Sequence, residues 1–289
     1  VDLWRQTLQS TWPVTVQGFR DVVEGGPWTG TVEIRAGSMA GACLGTTSGS
    51  VGQILLLLVR PDCQRQGLGR TLLAATIEEL AEQGACCIEA GAGAGSYFWP
   101  GIPANLPPAL SFWKSQGGLC YETTVDMILG LRQEHRVADR CPGELPLDAS
   151  IGLAGREAWA EVRQFAAVHF PDWYPFYAAA TTGGARNYPL VARQNGEVVG
   201  AALLEPNSCL WSPLFDGPVG SIGAVGVAEH ARRQGIGLAL SARGADLLQE
   251  WGMFYAYLGW TWLVDWYGQL GFEVWRTYER AHIKIGRRQ

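Results

Sequence analysis

The chain has 289 residues, of which 47% are hydrophobic and only 17% charged. That excludes a disordered, self-solvating chain, because apolar surface is ample to offset chain entropy. The 38 glycines follow no G-X-Y period, so collagen is excluded, and a net charge of −5 argues against non-specific binding to nucleic acid or an anionic membrane. The length predicts two domains, or one large one.

Leu3 to Glu24 has partial helical character. Thr31 to Arg35 and Met39 to Thr46 predict a hairpin about Ala36-Gly37-Ser38. Gln53 to Val59 is an apolar run with the length of a buried strand. It feeds Arg65-Gln66-Gly67-Leu68-Gly69, after which Thr71 to Leu80 has helical periodicity and stops at Gly84, as a C-cap would. Ala85 to Glu89 is a short apolar segment, and Gly91-Ala92-Gly93-Ala94-Gly95 a glycine loop with no cofactor role assigned. Tyr97 to Pro103 is aromatic and proline-rich; it either caps a pocket or fills the join between halves. A short helix ending in glycine and a strand, Leu119 to Asp126, follow. Glu134 to Asp148 holds Cys141-Pro142-Gly143 and Pro146, has little periodicity, and predicts a linker. The expected division is 1–137, a linker at 138–147, and 148–289.

The second half repeats the pattern. Arg156 to His169 predicts an amphipathic helix, and Tyr188 to Arg193 with Glu197 to Leu204 a hairpin about Gln194-Asn195-Gly196. Ser221 to Val227 then precedes Arg233-Gln234-Gly235-Ile236-Gly237, which matches the first glycine loop at an offset of 168. A helix to Leu248, a stop at Gly252, a segment Phe254 to Leu258, a short helix and a strand Phe272 to Tyr278 complete it.

The longest apolar run, Ile54 to Val59, is too short to span a bilayer, and the start shows no signal peptide pattern. Seven cysteines without a C-x-x-C pair predict reduced, buried thiols, and four histidines without ligand spacing predict no metal site; together they predict a cytoplasmic, metal-free protein.

A strand entering a glycine turn that opens a helix suits an anion: glycines admit the backbone closely and free N–H groups point outward. Arg65, Arg70, Arg232 and Arg233 add positive charge. Neither copy is G-x-x-x-x-G-K-[ST], and neither completes G-x-G-x-x-G. The pattern left is Gln/Arg-x-x-Gly-x-Gly, at Gln64 to Gly69 and Arg232 to Gly237.

With these two loops, Val59-Arg60-Pro61 before the first, and Tyr267-Gly268-Gln269-Leu270-Gly271-Phe272 late in the chain, the sequence resembles the GCN5-related N-acetyltransferase (GNAT) family in a tandem form covering most of the chain. The resemblance implies an α/β (α+β) fold of two GNAT-like domains, each a mixed, mostly antiparallel central sheet flanked by helices. It implies direct acetyl transfer from acetyl-CoA to an amine, without a metal. The pyrophosphate would lie on Arg232, Arg233, Gln234, Gly235, Ile236 and Gly237. In the first half Gln64, Arg65, Gln66, Gly67, Leu68, Gly69 and Arg70 would do the same. The pantetheine arm would pair with Val225, Gly226 and Val227, or with Leu57 to Val59.

The resemblance makes Tyr267 the acid that protonates the leaving thiolate. The first half offers Lys114 there in one alignment and Trp113 after a one-residue slip, neither a phenol. From Gly235 to Tyr267 is 32 residues, but from Gly67 to Trp113 is 46. The expectation is therefore a catalytic C-terminal half and a first half degenerate in chemistry. Glu205, Asp172, His169 and Asp265 are open as general base. His169 to Tyr177 is either an aromatic acceptor pocket or a packed corner. The expected partner is a small amine or peptide acceptor, with no nucleic acid and no membrane; the oligomeric state is open. The alternatives are a non-catalytic CoA-binding or scaffolding protein, and an acyltransferase with a longer acyl-CoA or an aminoacyl donor.

Overall fold

The computed structural model describes residues 1–25, 28–91, 97–132, 135–142, 144–182 and 187–285. Most of the glycine loop Gly91 to Gly95, and parts of the predicted linker, lie outside the described residues.

The first half runs α1 (Asp2–Thr7), α2 (Val16–Glu24), β1 (Thr29–Arg35), β2 (Ser38–Ser48), β3 (Val51–Val59), α3 (Leu68–Glu82), β4 (Cys87–Ala90), β5 (Ile102–Pro103), α4 (Pro107–Ser115) and β6 (Leu119–Gly130). The second runs β7 (Ala149–Leu153), α5 (Trp159–His169), α6 (Tyr174–Ala180), β8 (Tyr188–Gln194), β9 (Glu197–Glu205), β10 (Val219–Val227), α7 (Ile236–Glu250), β11 (Tyr255–Thr261), α8 (Val264–Gly268) and β12 (Glu273–Lys284). The two long helices, α3 and α7, have 15 residues each and start at the same offset of 168 as the loops before them.

Two compact units form, but not by a cut at mid-chain. Unit 1 comprises Val1–Thr124 and the residues from Arg276 on; unit 2 is Val125–Trp275. Residues 125–137, expected from sequence in the first domain, belong to unit 2, and the last strand from Arg276 on, expected in the second, belongs to unit 1. The physical reason is strand pairing. The end of β12 pairs antiparallel with β4 (His282 opposite Glu89) and with β5 (Tyr278 opposite Pro103). The end of β6 pairs antiparallel with β11 (Gly130 opposite Tyr255). A strand's last partner is a long-range choice that local sequence does not encode.

In unit 1, β1, β2 and β3 form an antiparallel meander and β3 runs parallel to β4. Helix α3 packs Leu68, Leu72 and Leu80 on one face of this sheet, where Gly41 and Gly45 leave room for it. An aromatic core of Trp4, Trp12, Phe19, Phe98, Trp99 and Tyr278 also fills the unit; Trp4 stacks on Trp99 at 5.3 Å, and its indole N–H donates to the Trp12 carbonyl at 2.9 Å. The Tyr97 to Pro103 segment is therefore spent on unit 1's own core. In unit 2, β7, β8, β9 and β10 are antiparallel in order and β10 runs parallel to β11. Helix α7 covers one face, and α5 and α6 pack on Val191, Ala201 and Leu203 of β8 and β9. Each unit thus has a mixed, mostly antiparallel sheet flanked by helices.

Candidate active site

The two glycine loops fold alike. After β10, a 3-10 turn (Glu229–Ala231) leads to extended Arg232 at φ −70°, ψ 162°; after β3, the turn Pro61–Cys63 leads to Gln64 at the same angles. Arg233 and Arg65 then take positive φ, 63° and 61°. Gly235 and Gly67 cap their helices at φ 79° and 84°, where a Cβ would be strained. The Arg232 Nε donates to the Val227 carbonyl at 3.0 Å, and the Gln64 Nε2 to the Val59 carbonyl at 2.9 Å. The Gln/Arg of the pattern therefore ties the loop back to its strand. Gln234 and Gln66 bond in turn to the hairpin residues Gln194 and Arg35, each at 3.3 Å.

No side chain caps either helix. The first N–H to bond back is Ala239, to the Gly235 carbonyl, and in the first half Thr71, to Gly67. The N–H groups of Ile236, Gly237 and Leu238, and of Leu68, Gly69 and Arg70, thus precede the helical ladder and carry the positive end of the dipole. Arg65, Arg70, Arg232 and Arg233 are exposed around them. The last loop glycine is small for a reason: a Cβ at Gly237 would stand 3.2 Å from the Trp266 ring, and at Gly69 3.6 Å from Phe112.

The strand before each loop leaves its parallel neighbour early. β10 pairs with β11 only over Val219–Ser221, and beyond that stays on β9 with a bulge between Gly223 and Gly226. Ala224 in this bulge has φ 48°, and its carbonyl accepts from the Tyr177 hydroxyl at 2.6 Å. Tyr177 is fully buried, which pushes its phenol far above the ordinary range. The Phe170 ring lies directly on Gly226 and stacks on Trp173 at 5.0 Å. Phe170, Trp173 and Tyr177 are thus a packed corner holding the bulge, while Tyr174 and Phe176 stay exposed.

Where β10 diverges, Gly223 is exposed and a Cβ there would meet nothing within 4 Å. The first half has Leu55 at that offset, 2% exposed. The opening belongs to unit 2 alone.

Tyr267 sits on α8, buried, its phenol hydrogen-bonded with Ser241 of α7 and pushed up to about 12 by burial. Structural equivalence decides the first-half alignment. Trp266 and Phe112 both lie on the last loop glycine, and Gly271 and Gly117 both have positive φ after their helix. Trp113 therefore stands where Tyr267 does. Leu73, buried, replaces Ser241, and Gly118 replaces Phe272, because the Trp113 ring occupies the space of a Cβ at Gly118. Unit 1 thus has neither a phenol nor its hydrogen-bond partner at these positions.

Of the four base candidates, His169, Asp172 and Asp265 are exposed. Glu205 is half-buried, and desolvation pushes its carboxyl above the usual range while hydrogen bonds with Ser208 and Asn187 pull it back. Sequence reasoning missed Ser221, Tyr257 and Asp126. Tyr257 donates to the buried Asp126 carboxylate at 2.6 Å, which also accepts the Trp260 N–H at 2.9 Å. All seven cysteines are free. Among the described residues, no group of His, Cys, Asp and Glu could hold a metal, and no helix is long and apolar enough to cross a membrane.

The model of the acetyltransferase (GNAT) family matches residues 5–96 and 156–272, so the chain belongs to that family, in tandem form. Among solved structures, a GCN5-related glucosamine N-acetyltransferase region of a fungal multi-domain GH3 beta-N-acetylglucosaminidase is similar, with TM-score 0.87 and 25% identity over 98% of this chain and 36% of that one. The chain thus spans about a third of that protein's length. A tandem GNAT protein from the clavulanic acid biosynthesis pathway has TM-score 0.72 and 18% identity over 100% of this chain and 94% of its own. A GCN5-related N-acetyltransferase from Sphaerobacter thermophilus has TM-score 0.62 and 18% identity over 86% and 78%. Among curated proteins none matches.

Proposed function

We propose that this chain is an acetyl-CoA-dependent N-acetyltransferase that moves an acetyl group directly to a primary amine, with unit 2 catalytic and unit 1 without chemistry. The observation that carries the reading is the gap where β10 leaves β11, open at Gly223 and flanked by the uncapped start of α7. An unpaired strand edge accepts an extended amide-bearing arm, and a helix N-terminus accepts a pyrophosphate. Val225, Gly226 and Val227 are read as partners of the pantetheine, and Arg232 to Gly237 as the pyrophosphate cradle. Tyr267, neutral through the working pH range, is read as the proton donor to the thiolate. Unit 1 keeps the loop from Gln64 to Arg70 after Val59, a second place for a CoA pyrophosphate, but has Leu55 in the opening and Trp113 in place of a phenol. The similarity to a glucosamine N-acetyltransferase region supports an amino sugar as acceptor. The free cysteines suit a reducing compartment such as the cytoplasm.

Calorimetric titration with acetyl-CoA tests this, with turnover followed by thiol release. Gly235→Glu places a carboxylate at the cradle and strains a position at φ 79°, so turnover and binding to unit 2 should be lost while circular dichroism keeps its shape. Gly67→Glu should leave turnover in place. A wild-type chain that binds no acetyl-CoA overturns the reading.

A further inference from the structure

We propose that the acceptor amine enters a notch in unit 2 floored by Glu205, Ser221 and Tyr257, and that Glu205 takes its proton. This rests on the N-acetyltransferase reading above and adds to it the acceptor site, the base and the acceptor's charge class.

Residues opposite one another in a ladder share a face of the sheet. Glu205 of β9 lies opposite Ser221 of β10, and Ser221 opposite Tyr257 of β11. Tyr257 lies opposite Ile128 of β6, and Asp126, two residues before, is on the same face and bonded to the Tyr257 hydroxyl. The row therefore crosses four strands without a break. Its face is settled by its neighbours: Leu204 and Ile222 pack against Gly244 of α7, so Glu205 and Ser221 project to the other side, that of Leu203, α5 and α6.

Two residues along from Ser221 and Tyr257, still on this face, stand Gly223 and Gly259, both exposed in the middle of a sheet. A Cβ at Gly259 would point at the Tyr257 ring, 3.2 Å away. The side-chain position at Gly223 is thus open beside the β10–β11 gap, and the Tyr257 ring closes over Gly259. The row that floors this opening carries two carboxylates and hydroxyls: Ser208 and Ser221 lie 3.2 Å apart, Oγ to Oγ. It contains no lysine or arginine. An ammonium with neighbouring hydroxyl groups fits such a floor, and a phosphorylated amine meets like charge from its carboxylates.

Among the described residues, the groups against Glu205 are neutral: Asn187 ahead of β8, Ser208 after β9, and Ser221 across the ladder. Its raised carboxyl pKa makes it a stronger base than a solvated carboxylate. The step balances as follows. The acceptor ammonium gives one proton to Glu205 and the freed lone pair forms the C–N bond at the thioester carbonyl. The C–S bond breaks with its electron pair on sulfur, and the nitrogen sheds its second excess proton. Of the two protons leaving nitrogen, one ends on the thiol and one in solvent through Glu205. Asp126 acts at one remove, as a positioning residue that holds Tyr257 and the Trp260 turn.

The test uses the whole chain, with glucosamine and glucosamine 6-phosphate as probes, thiol release as readout and acetyl-CoA titration of every variant. Glucosamine should be acetylated with kcat/KM at least about tenfold above its phosphate, since unscreened like charge costs on the order of 1 kcal/mol or more. Glu205→Gln, which keeps the shape and the bonds with Ser208 and Asn187, should lower kcat about 100-fold or more, remove the acid limb of the pH profile and leave acetyl-CoA affinity unchanged. Gly223→Val should fold normally, because its side chain enters open space, and should raise the KM for glucosamine about tenfold or more. Full turnover with an unchanged acid limb in Glu205→Gln overturns the base assignment. Preference for the phosphate, or turnover of neither amine by a chain that binds acetyl-CoA, overturns the acceptor class, and an unaffected Gly223→Val overturns the notch. A wild type without acetyl-CoA binding fails the parent reading instead, and is told apart by the titration.

Discussion

Glu205 and Tyr267 are both held with raised pKa by burial, and each has a consequence for stability that activity does not share. For Glu205 the folded state binds its proton more tightly than the unfolded state. Its contribution is fully present below the ordinary glutamate pKa and is lost as pH rises through the folded value. Glu205→Gln should therefore have a higher Tm than wild type at neutral pH, with the difference shrinking toward pH 4; differential scanning calorimetry at both pH values checks it. A residue that serves function at the cost of stability shows this opposition. For Tyr267, at about 12, the phenol stays protonated well past pH 9, so it should contribute no basic limb to the rate profile below that. Tyr267→Phe should lower kcat about 100-fold and cost about 1 kcal/mol in urea unfolding, since one hydrogen bond with Ser241 is lost.

At the scale of elements, the bulge of β10 is held from outside the strand. Tyr177 on α6 supplies the donor for the Ala224 carbonyl, and Phe170 covers Gly226. Tyr177→Phe leaves that half-buried carbonyl without its donor, at a cost of about 1–3 kcal/mol. The strand edge should relax, and acetyl-CoA affinity should fall while secondary structure persists; unfolding curves and titration together check it. The helices α4 and α8 show how the first half packs an indole where the second holds a phenol. Trp113 fills its site because Gly118 yields the space and Leu73 needs no polar partner. Gly118→Ala should destabilise unit 1 by about 1–3 kcal/mol through overpacking against that ring, visible as an earlier unfolding step with unit 2 turnover retained.

At the scale of the molecule, unit 1 depends on the end of the chain. Tyr278 and Ala281 are buried in it, and β12 pairs with β4 and β5. A chain truncated after Trp275 should lose the folded aromatic core of unit 1, seen as loss of near-ultraviolet dichroism and rapid proteolysis within residues 1–124. The same construction means unit 1 completes only after the last strand is made. Appending a peptide of residues 276–289 in trans should restore part of the protection.

Local chemistry made much of this protein legible in its amino-acid order. Both loops were readable because glycine is needed where the chain turns left-handed before a helix, and Gly67 and Gly235 do so. Strands and long helices followed from runs such as Ile54 to Val59 and the period of α3 and α7, since burial is what those patterns serve. Tyr267 stood out from its place before Gly271-Phe272. What sequence left open was settled by tertiary contacts. Lys114 or Trp113 opposite Tyr267, the fate of Tyr97 to Pro103, and the role of His169 to Tyr177 each turned on which side chain met which neighbour. Glu205, Ser221, Tyr257 and Asp126 lie far apart in the chain and carry no motif; only strand pairing sets them on one face. The ownership of β6 and β12 was beyond sequence for the same reason: a strand's partner is a property of the folded sheet, whereas a strand's existence is a property of its residues.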